Sequence, residues 1–332
     1  MSTWMQLTNQ QKIRVFEQIR FQTGLPVQAI EKDWWVVQTL ALVFESSIGN
    51  HTVFKGGTSL SKAWQLIDRF SEDIDLGLDR KFLGFDKEMT ITQVKKLRKH
   101  FTQFIATEFF PELQGRFLDA GLTEVRLILR NSKDSDQDPI VLELYYPGLT
   151  DRVGYIQPKI LIEIGCRSLR EPFTPKKIVS LVGEHFKVQP FAEASISIPC
   201  VNPERTFLEK IFLLHEEFQK EPEKMRTNRL SRHLYDIEKI MNTNYSETAL
   251  SNQKLFQEII EHRKRFTPVR GIDYANHIPS RISFIPPDSI IKEWKTDYET
   301  MQEFMIYKDS LPFGRLIDRL MQLNQKINNL NF

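Results

Sequence analysis

Cysteine is almost missing from this 332-residue chain, which has only Cys166 and Cys200. Two thiols cannot build a disulfide framework, so a reducing, cytoplasmic setting is expected. They also lie too far apart for a zinc motif, and the seven histidines show no metal-ligand spacing. Long apolar runs are missing too. The longest, Trp34 to Phe44, is broken by Gln38 and Thr39 and falls short of the roughly 20 residues a bilayer span needs. The N-terminus is polar, without the apolar core of a signal peptide. No P-loop and no Gly-x-Gly-x-x-Gly is present, which argues against Walker-type hydrolysis and dinucleotide redox chemistry. Charge of one sign is not in excess, because 45 Lys and Arg face 43 Asp and Glu. A case for nucleic-acid binding must therefore rest on local runs such as Lys95-Lys96-Leu97-Arg98-Lys99-His100 and His262-Arg263-Lys264-Arg265.

What is present is ordinary globular composition, at a length suited to two domains. Thr8 caps a predicted helix carrying Ile13, Phe16 and Ile19, and a second, after Gly24-Leu25-Pro26, carries Ile30, Trp34, Val37, Ala41 and Phe44. Residues 92–109 again show helical spacing, through Val94, Leu97, Phe101, Phe104 and Ile105. Strands are expected at residues 125–129, 140–146 and 159–164, the first two joined by a hairpin loop over residues 131–138. The imperfect alternation of Ile160-Leu161-Ile162-Glu163-Ile164 suits a strand covered on both faces. Beyond Pro203 the texture is helical: Phe207, Ile211, Leu214 and Phe218 share a face, as do Leu230, Leu234, Ile237 and Met241. Further helices are expected over residues 249–266, 289–307 and 313–330, with a proline-rich irregular connection at 267–288. The reading is an α+β fold, with a catalytic domain over residues 1–200 and a helical domain over 201–332.

The most informative stretch is Phe54-Lys55-Gly56-Gly57-Thr58-Ser59-Leu60-Ser61-Lys62, followed by Ser71-Glu72-Asp73-Ile74-Asp75-Leu76. A short strand at residues 52–54 meets a glycine turn, and Leu60, Ala63, Trp64 and Ile67 then recur with helical spacing. Unpaired N–H groups at such a helix start can hold a phosphate, with Thr58 or Ser59 adding a hydroxyl. Asp73 and Asp75 alternate with Ile74 and Leu76, so both carboxylates project from one face of a strand. Two hard oxygen donors so placed suit Mg²⁺ with substrate phosphates completing its shell. A solvated strand edge is the plainer explanation, but it leaves the glycine pair unexplained.

This constellation resembles the nucleotidyltransferase superfamily, and its wider context is similar to the AbiEii/MenT-type toxins of bacterial type IV toxin–antitoxin and phage-defence systems. Four stretches carry the resemblance: Glu31-Lys32-Asp33-Trp34-Trp35-Val36, the block from Gly56 to Leu76, Glu204-Arg205-Thr206-Phe207-Leu208-Glu209-Lys210, and Arg232-His233-Leu234-Tyr235-Asp236-Ile237. The resemblance implies a mixed sheet core flanked by helices and followed by a helical half that contributes Lys210 and Asp236 to the site. It implies two Mg²⁺ ions, with Asp75 bridging both and Asp73 holding the one that carries the triphosphate. A third carboxylate is expected on a neighbouring strand. Glu163 is the choice, as a lone acid among isoleucines that is costly to bury unpaired, and Glu143 on the preceding strand competes with it. Aspartate is commoner at that position in the superfamily. Lys210 matches the motif lysine that faces the triphosphate, and Asp236 the helix aspartate that orients lysine or nucleotide.

Each has a plainer reading. Lys210 can be a snorkelling lysine with an exposed head, and Asp236 can form a surface ion pair with Arg232 four residues earlier. Lys55 and Arg69 flank the core block as phosphate contacts, and Arg167 is a further one by its place after Glu163. Lys62 is expected on the helix surface, and Ser71 as a residue shaping the turn. Arg265-Phe266 and Arg281 to Phe284 set aromatics beside cations, which can stack on RNA bases. The implied activity is transfer of an NMP from an NTP to RNA, with the tRNA 3′ end foremost, by a toxin with a separately encoded antitoxin. A protein or small-molecule acceptor, and a non-catalytic NTP-binding module, are the alternatives.

Overall fold

In the computed structural model, which describes residues 3–71, 73–85, 89–130, 138–149, 157–168 and 170–332, apolar spacing becomes structure in two units. One comprises residues 1–63 and 70–201, the other residues 64–69 and 202–332. The short segment 64–69 groups with the helices, which the sequence division at residue 200 does not anticipate. Among the described residues, no helix is long and apolar enough to cross a membrane.

The first unit opens with helix α1 (Asn9–Thr23), whose N-cap Thr8 forms a full capping box with Gln11. Helix α2 (Val27–Phe44) follows, then strand β1 (Thr52–Lys55), helix α3 (Gly56–Lys62) and strand β2 (Ile74–Leu78). Helices α4 (Ile91–Phe104) and α5 (Phe110–Asp119) run on through a π-turn at Ile105–Phe109. The helical stretch therefore does not stop at Phe109, as the sequence suggested. The π-turn sets Pro111 in the first turn of α5, where its missing N–H leaves no bond unmade.

Strands β3 (Arg126–Leu129), β4 (Ile140–Tyr145) and β5 (Lys159–Gly165) then form, with β3 and β4 antiparallel as expected. Residues 131–137 of the proposed hairpin loop lie outside the described residues. Strand β6 (Phe173–Ile178), helix α6 (Leu181–His185) and strand β7 (Ile196–Val201) complete the unit. The sequence hid β6 and β7 because each contains a proline. Pro175 and Pro199 face each other across the ladder, a position where neither needs an N–H.

The seven strands form one mixed sheet in the order β3-β4-β5-β2-β1-β7-β6, with β1–β7 and β2–β5 parallel. The sheet has unequal faces. Ile160, Ile162 and Ile164 of β5 are buried while Leu161 and Glu163 are half-exposed, which corrects the expectation of cover on both faces. Glu163 is thus not an acid sunk among isoleucines; it points away from them.

Helix α2 is buried almost all round, including three consecutive charged residues. Burying charge is costly unless each is paired, and each is. Glu31 Oε1 accepts from the Leu149 N–H at 2.8 Å, and Lys32 Nζ donates to the Gln157 carbonyl at 3.2 Å. Asp33 receives Lys62 Nζ at 2.6 Å and the Leu181 N–H at 2.7 Å. Lys62 is therefore a half-buried brace between α3 and α2 rather than a free surface residue.

The second unit contains helices α7 (Pro203–Glu217), α8 (Ser231–Ile240), α9 (Asn244–Ser251), α10 (Gln253–Phe266), α11 (Ile291–Phe304) and α12 (Phe313–Asn328). α8 packs against α7, α11 and α12. The single helix expected over 249–266 is split at Asn252, whose side chain caps α10 by accepting from the Leu255 N–H. Segment 64–69 is stitched to these helices. The Trp64 ring meets Tyr245 edge-on, the Asp68 N–H donates to Tyr235 Oη, and Asp68 pairs with Lys308 at 2.9 Å.

Asp33→Ala strips a partner from Lys62 and from α6 at once, and is expected to cost the first unit about 2–4 kcal/mol. Asp33→Asn, which keeps an acceptor for Leu181, should cost less. Urea unfolding midpoints of the two variants, both unchanged from wild type, would show that the brace is dispensable.

Candidate active site

β1 ends at Lys55, and the chain turns into α3 through Gly56 at φ +77°, a conformation glycine adopts freely and other residues resist. A Cβ at residue 56 would also lie 2.0 Å from Asp75 Oδ2. The glycine turn and the acid therefore occupy adjoining space, each shaped to the other. Thr58, buried in the first turn of α3, donates its hydroxyl to the Asp73 carbonyl and shares a hydrogen bond with Ser71 Oγ at 2.9 Å. Helix α3 thus fixes the backbone that leads into the acid pair, and Ser71 shapes that turn. Ser59 is buried too, with its hydroxyl against the Cys200 thiol of β7, whose pKa burial pushes up to about 12. Gly56 and Gly57 are half-buried, so at this turn the accessible polar groups are backbone rather than hydroxyl.

Register brings the next residues together. Lys55 pairs with Asp75 across β1–β2, Asp75 with Glu163 across β2–β5, and Glu163 with Val141 across β5–β4. Residues directly opposite share a face, so Lys55, Asp75 and Glu163 form one rung on the more open side of the sheet. Asp73 lies one residue before β2, also half-buried. Lys55 Nζ donates to Ser168 Oγ at 2.9 Å.

The competing acid Glu143 is spoken for. Its carboxylate accepts from Tyr145 Oη at 2.7 Å, Arg130 Nη2 at 2.5 Å and Lys159 Nζ at 3.4 Å, and the Tyr145 bond leads in holding its pKa below the usual value. Arg167 turns to Asp138, with Nε 2.5 Å from the carboxylate and Nη2 2.6 Å from the carbonyl. Among the described residues, no three His, Cys, Asp or Glu side chains converge as a ready metal cage. The adjacent carboxylates of Asp75 and Glu163 instead fit a hard divalent ion such as Mg²⁺, which takes one or two carboxylates and completes its shell with water and phosphate.

In the second unit the candidate residues Arg69, Lys210 and Asp236 are buried. Asp236, fully buried on α8, receives Arg69 bidentately, with Nε–Oδ1 2.7 Å and Nη2–Oδ2 2.8 Å, and also Lys210 Nζ at 2.9 Å. No ion pair between Arg232 and Asp236 forms, and Lys210 is not a snorkelling lysine: it is 7% exposed. Burial alone would raise the Asp236 carboxyl, but Arg69 and Lys210 outweigh it and hold it far below the carboxylate range. Burial lowers the Lys210 ammonium, and Asp236 offsets this only in part. Arg69 and Lys210 both bind Asp236, and the positive charge of Arg232 lies near enough to push the Lys210 ammonium down further.

The outlying basic runs fare differently. Lys95, Lys96, Lys99 and His100 are exposed on α4. Arg263 is instead bound bidentately to buried Glu216. Phe266 and Phe284 are core side chains, 5% and 0% exposed, so neither is a stacking platform for RNA bases.

Sequence reasoning missed the Arg69–Asp236 pair and the contact of Lys210 Nζ with His233 Nδ1 at 3.3 Å. Residues 69 and 236 are 167 positions apart, so no local spacing links them. The pattern Arg232-His233-x-x-Asp236 did place His233 and Asp236 three apart on one helix face, the signal that could have exposed the second contact.

Asp236→Ala removes the carboxylate that both Arg69 and Lys210 bind, and is expected to cost about 3–5 kcal/mol. The contribution of Asp236 is complete above about pH 4, the ordinary aspartate value, and fades as pH falls through its lower folded value. Chemical unfolding of wild type and Asp236→Ala at pH 7 and pH 3 should show a gap that narrows in acid, and an equal gap at both would refute the pairing.

A sequence model of the nucleotidyl transferase AbiEii toxin family, of type IV toxin–antitoxin systems, matches residues 40–321. A search of curated proteins found no match. The matched span holds Gly56, Asp73, Asp75, Glu163, Lys210 and Asp236, while Glu31, Lys32 and Asp33 precede it. Covering well over half of the chain, the match together with the ordered acids shows that this protein belongs to the AbiEii nucleotidyltransferase toxin family.

Proposed function

We propose that the protein transfers an NMP from an NTP to an RNA acceptor, the 3′ end of tRNA, and releases pyrophosphate, as a toxin restrained by a separately encoded antitoxin. The observation that carries the reading is the rung Lys55–Asp75–Glu163 set against the Gly56 turn. Asp73, Asp75 and Glu163 are the residues that would hold Mg²⁺, which supplies charge stabilisation to the phosphates when bound. The remaining chemistry is positional and electrostatic. The backbone of Gly56 and Gly57 leaves room for phosphate oxygens, with Lys55 beside them. The hydroxyl oxygen of the acceptor bonds to the α-phosphorus, the bond from that phosphorus to the α–β bridging oxygen breaks, and pyrophosphate leaves with the electron pair. Glu163 accepts the proton of the acceptor hydroxyl. Within the second unit, Arg69 and Lys210 hold positive charge suited to an anion, with Asp236 setting the position of both. The exposed cations of α4 suit an RNA backbone.

Purified protein incubated with Mg²⁺, each α-labelled NTP in turn and total bacterial RNA should label tRNA-sized RNA. Asp75→Ala should lower transfer by about a thousandfold or more while the circular dichroism and unfolding midpoint stay near wild type. Retained turnover would remove Asp75 from the chemistry. Pyrophosphate release without labelled RNA would move the acceptor to a protein or small molecule, and tight NTP binding without release would make the protein a binding module.

A further inference from the structure

We propose that His233 is a positioning residue for Lys210, its imidazole Nδ1 and the Asp236 carboxylate together fixing the direction of the Lys210 ammonium. The inference rests on the reading of Lys210 as the lysine that meets phosphate. An ammonium has three N–H donors and no acceptor. Asp236 Oδ2 takes one at 2.9 Å and His233 Nδ1 a second at 3.3 Å, which defines the line of the third, the one a phosphoryl oxygen takes. Both acceptors come from α8, three residues apart and so on one face of a rigid helix, while the lysine comes from α7.

The contact works only with an uncharged imidazole, because an imidazolium has no lone pair to offer. The surroundings enforce that state. Burial, then Lys210 and Arg232, push His233 well below its ordinary value, with Arg69 adding to them and Asp236 opposing. With Nδ1 accepting, the proton sits on Nε2. A histidine that merely filled space would tolerate any side chain of similar size. One that holds the ammonium would be replaced by Asn, whose amide oxygen falls near the position of Nδ1, and not by Leu.

The decisive measurement is the titration of the Lys210 Nζ resonance in ¹⁵N-lysine-labelled protein, assigned by its loss in Lys210→Arg. His233→Leu removes an acceptor from the charged form, so the midpoint should fall by about half to one pH unit, and His233→Asn should restore it. Transfer activity needs the ammonium, so the alkaline limb of its pH profile should move down by the same amount in His233→Leu and return in His233→Asn. An unshifted midpoint in His233→Leu, or His233→Asn titrating like His233→Leu, overturns the proposal. Should the wild-type protein transfer nothing, the functional reading fails while the titration still decides the role of His233.

Discussion

The β1–α3 turn and strand β2 of the first unit meet at one close approach, that of the Asp75 carboxylate to Gly56. The oxygen lies where a side chain at position 56 would begin, and the backbone there has a positive φ. Glycine satisfies both demands and other residues satisfy neither without strain. From that contact the rest follows. The turn launches α3, and the Thr58 hydroxyl reaches back to the Asp73 carbonyl, so α3 holds the backbone that leads into β2. A carboxylate that must meet metal or phosphate gains from such support, because its rotamer is set before the ligand arrives.

The second unit solves a different problem, which is keeping several like charges buried. Asp236 draws Arg69 and Lys210 to itself, and Arg232 lies near enough to add its charge to the group. A buried ion pair rarely gives net stability, so stability alone does not explain this cluster. Burial is the main cause of the depressed Lys210 pKa, with Arg69 and Arg232 adding to it and Asp236 opposing. A lysine so buried has already shed most of its hydration.

Local signals in the sequence carried far, and failed where contacts are distant. The Gly-Gly turn and the alternating aspartates need only spacing of one and two residues, so strand and helix periodicity exposed them. The lone acid of β5 was also legible, but for a reason the structure reverses: Glu163 points away from the isoleucines because its strand is half-exposed on that side. Which acid neighbours Asp75 is decided by strand order. β5 lies beside β2 although β3 and β4 intervene in sequence, and no spacing records that. Arg69 is the sharpest case. It precedes the acid pair by four residues and read as a phosphate contact, yet it belongs with the helices and binds a carboxylate 167 positions away. The strands with prolines were hidden because a central proline normally argues against a strand, a rule that a pair of opposed prolines escapes.

The motif stretches also divide by the work they do. Glu31, Lys32 and Asp33 look like chemistry, three charged residues in a row ahead of the Gly56 block. All three are buried, and each is used to tie α2 to a different part of the same unit: Leu149, Gln157, and both Lys62 and Leu181. Charge in a recurring motif is therefore poor evidence of a catalytic role by itself. What separates the two classes here is where the partners lie. The α2 charges end on backbone groups and one lysine, fully paired within the fold. Asp75 and Glu163 instead are neighbours across a strand pair on a half-exposed face, within reach of solvent rather than sunk in the core. What distinguishes the two sets is therefore their setting in the fold rather than their charge.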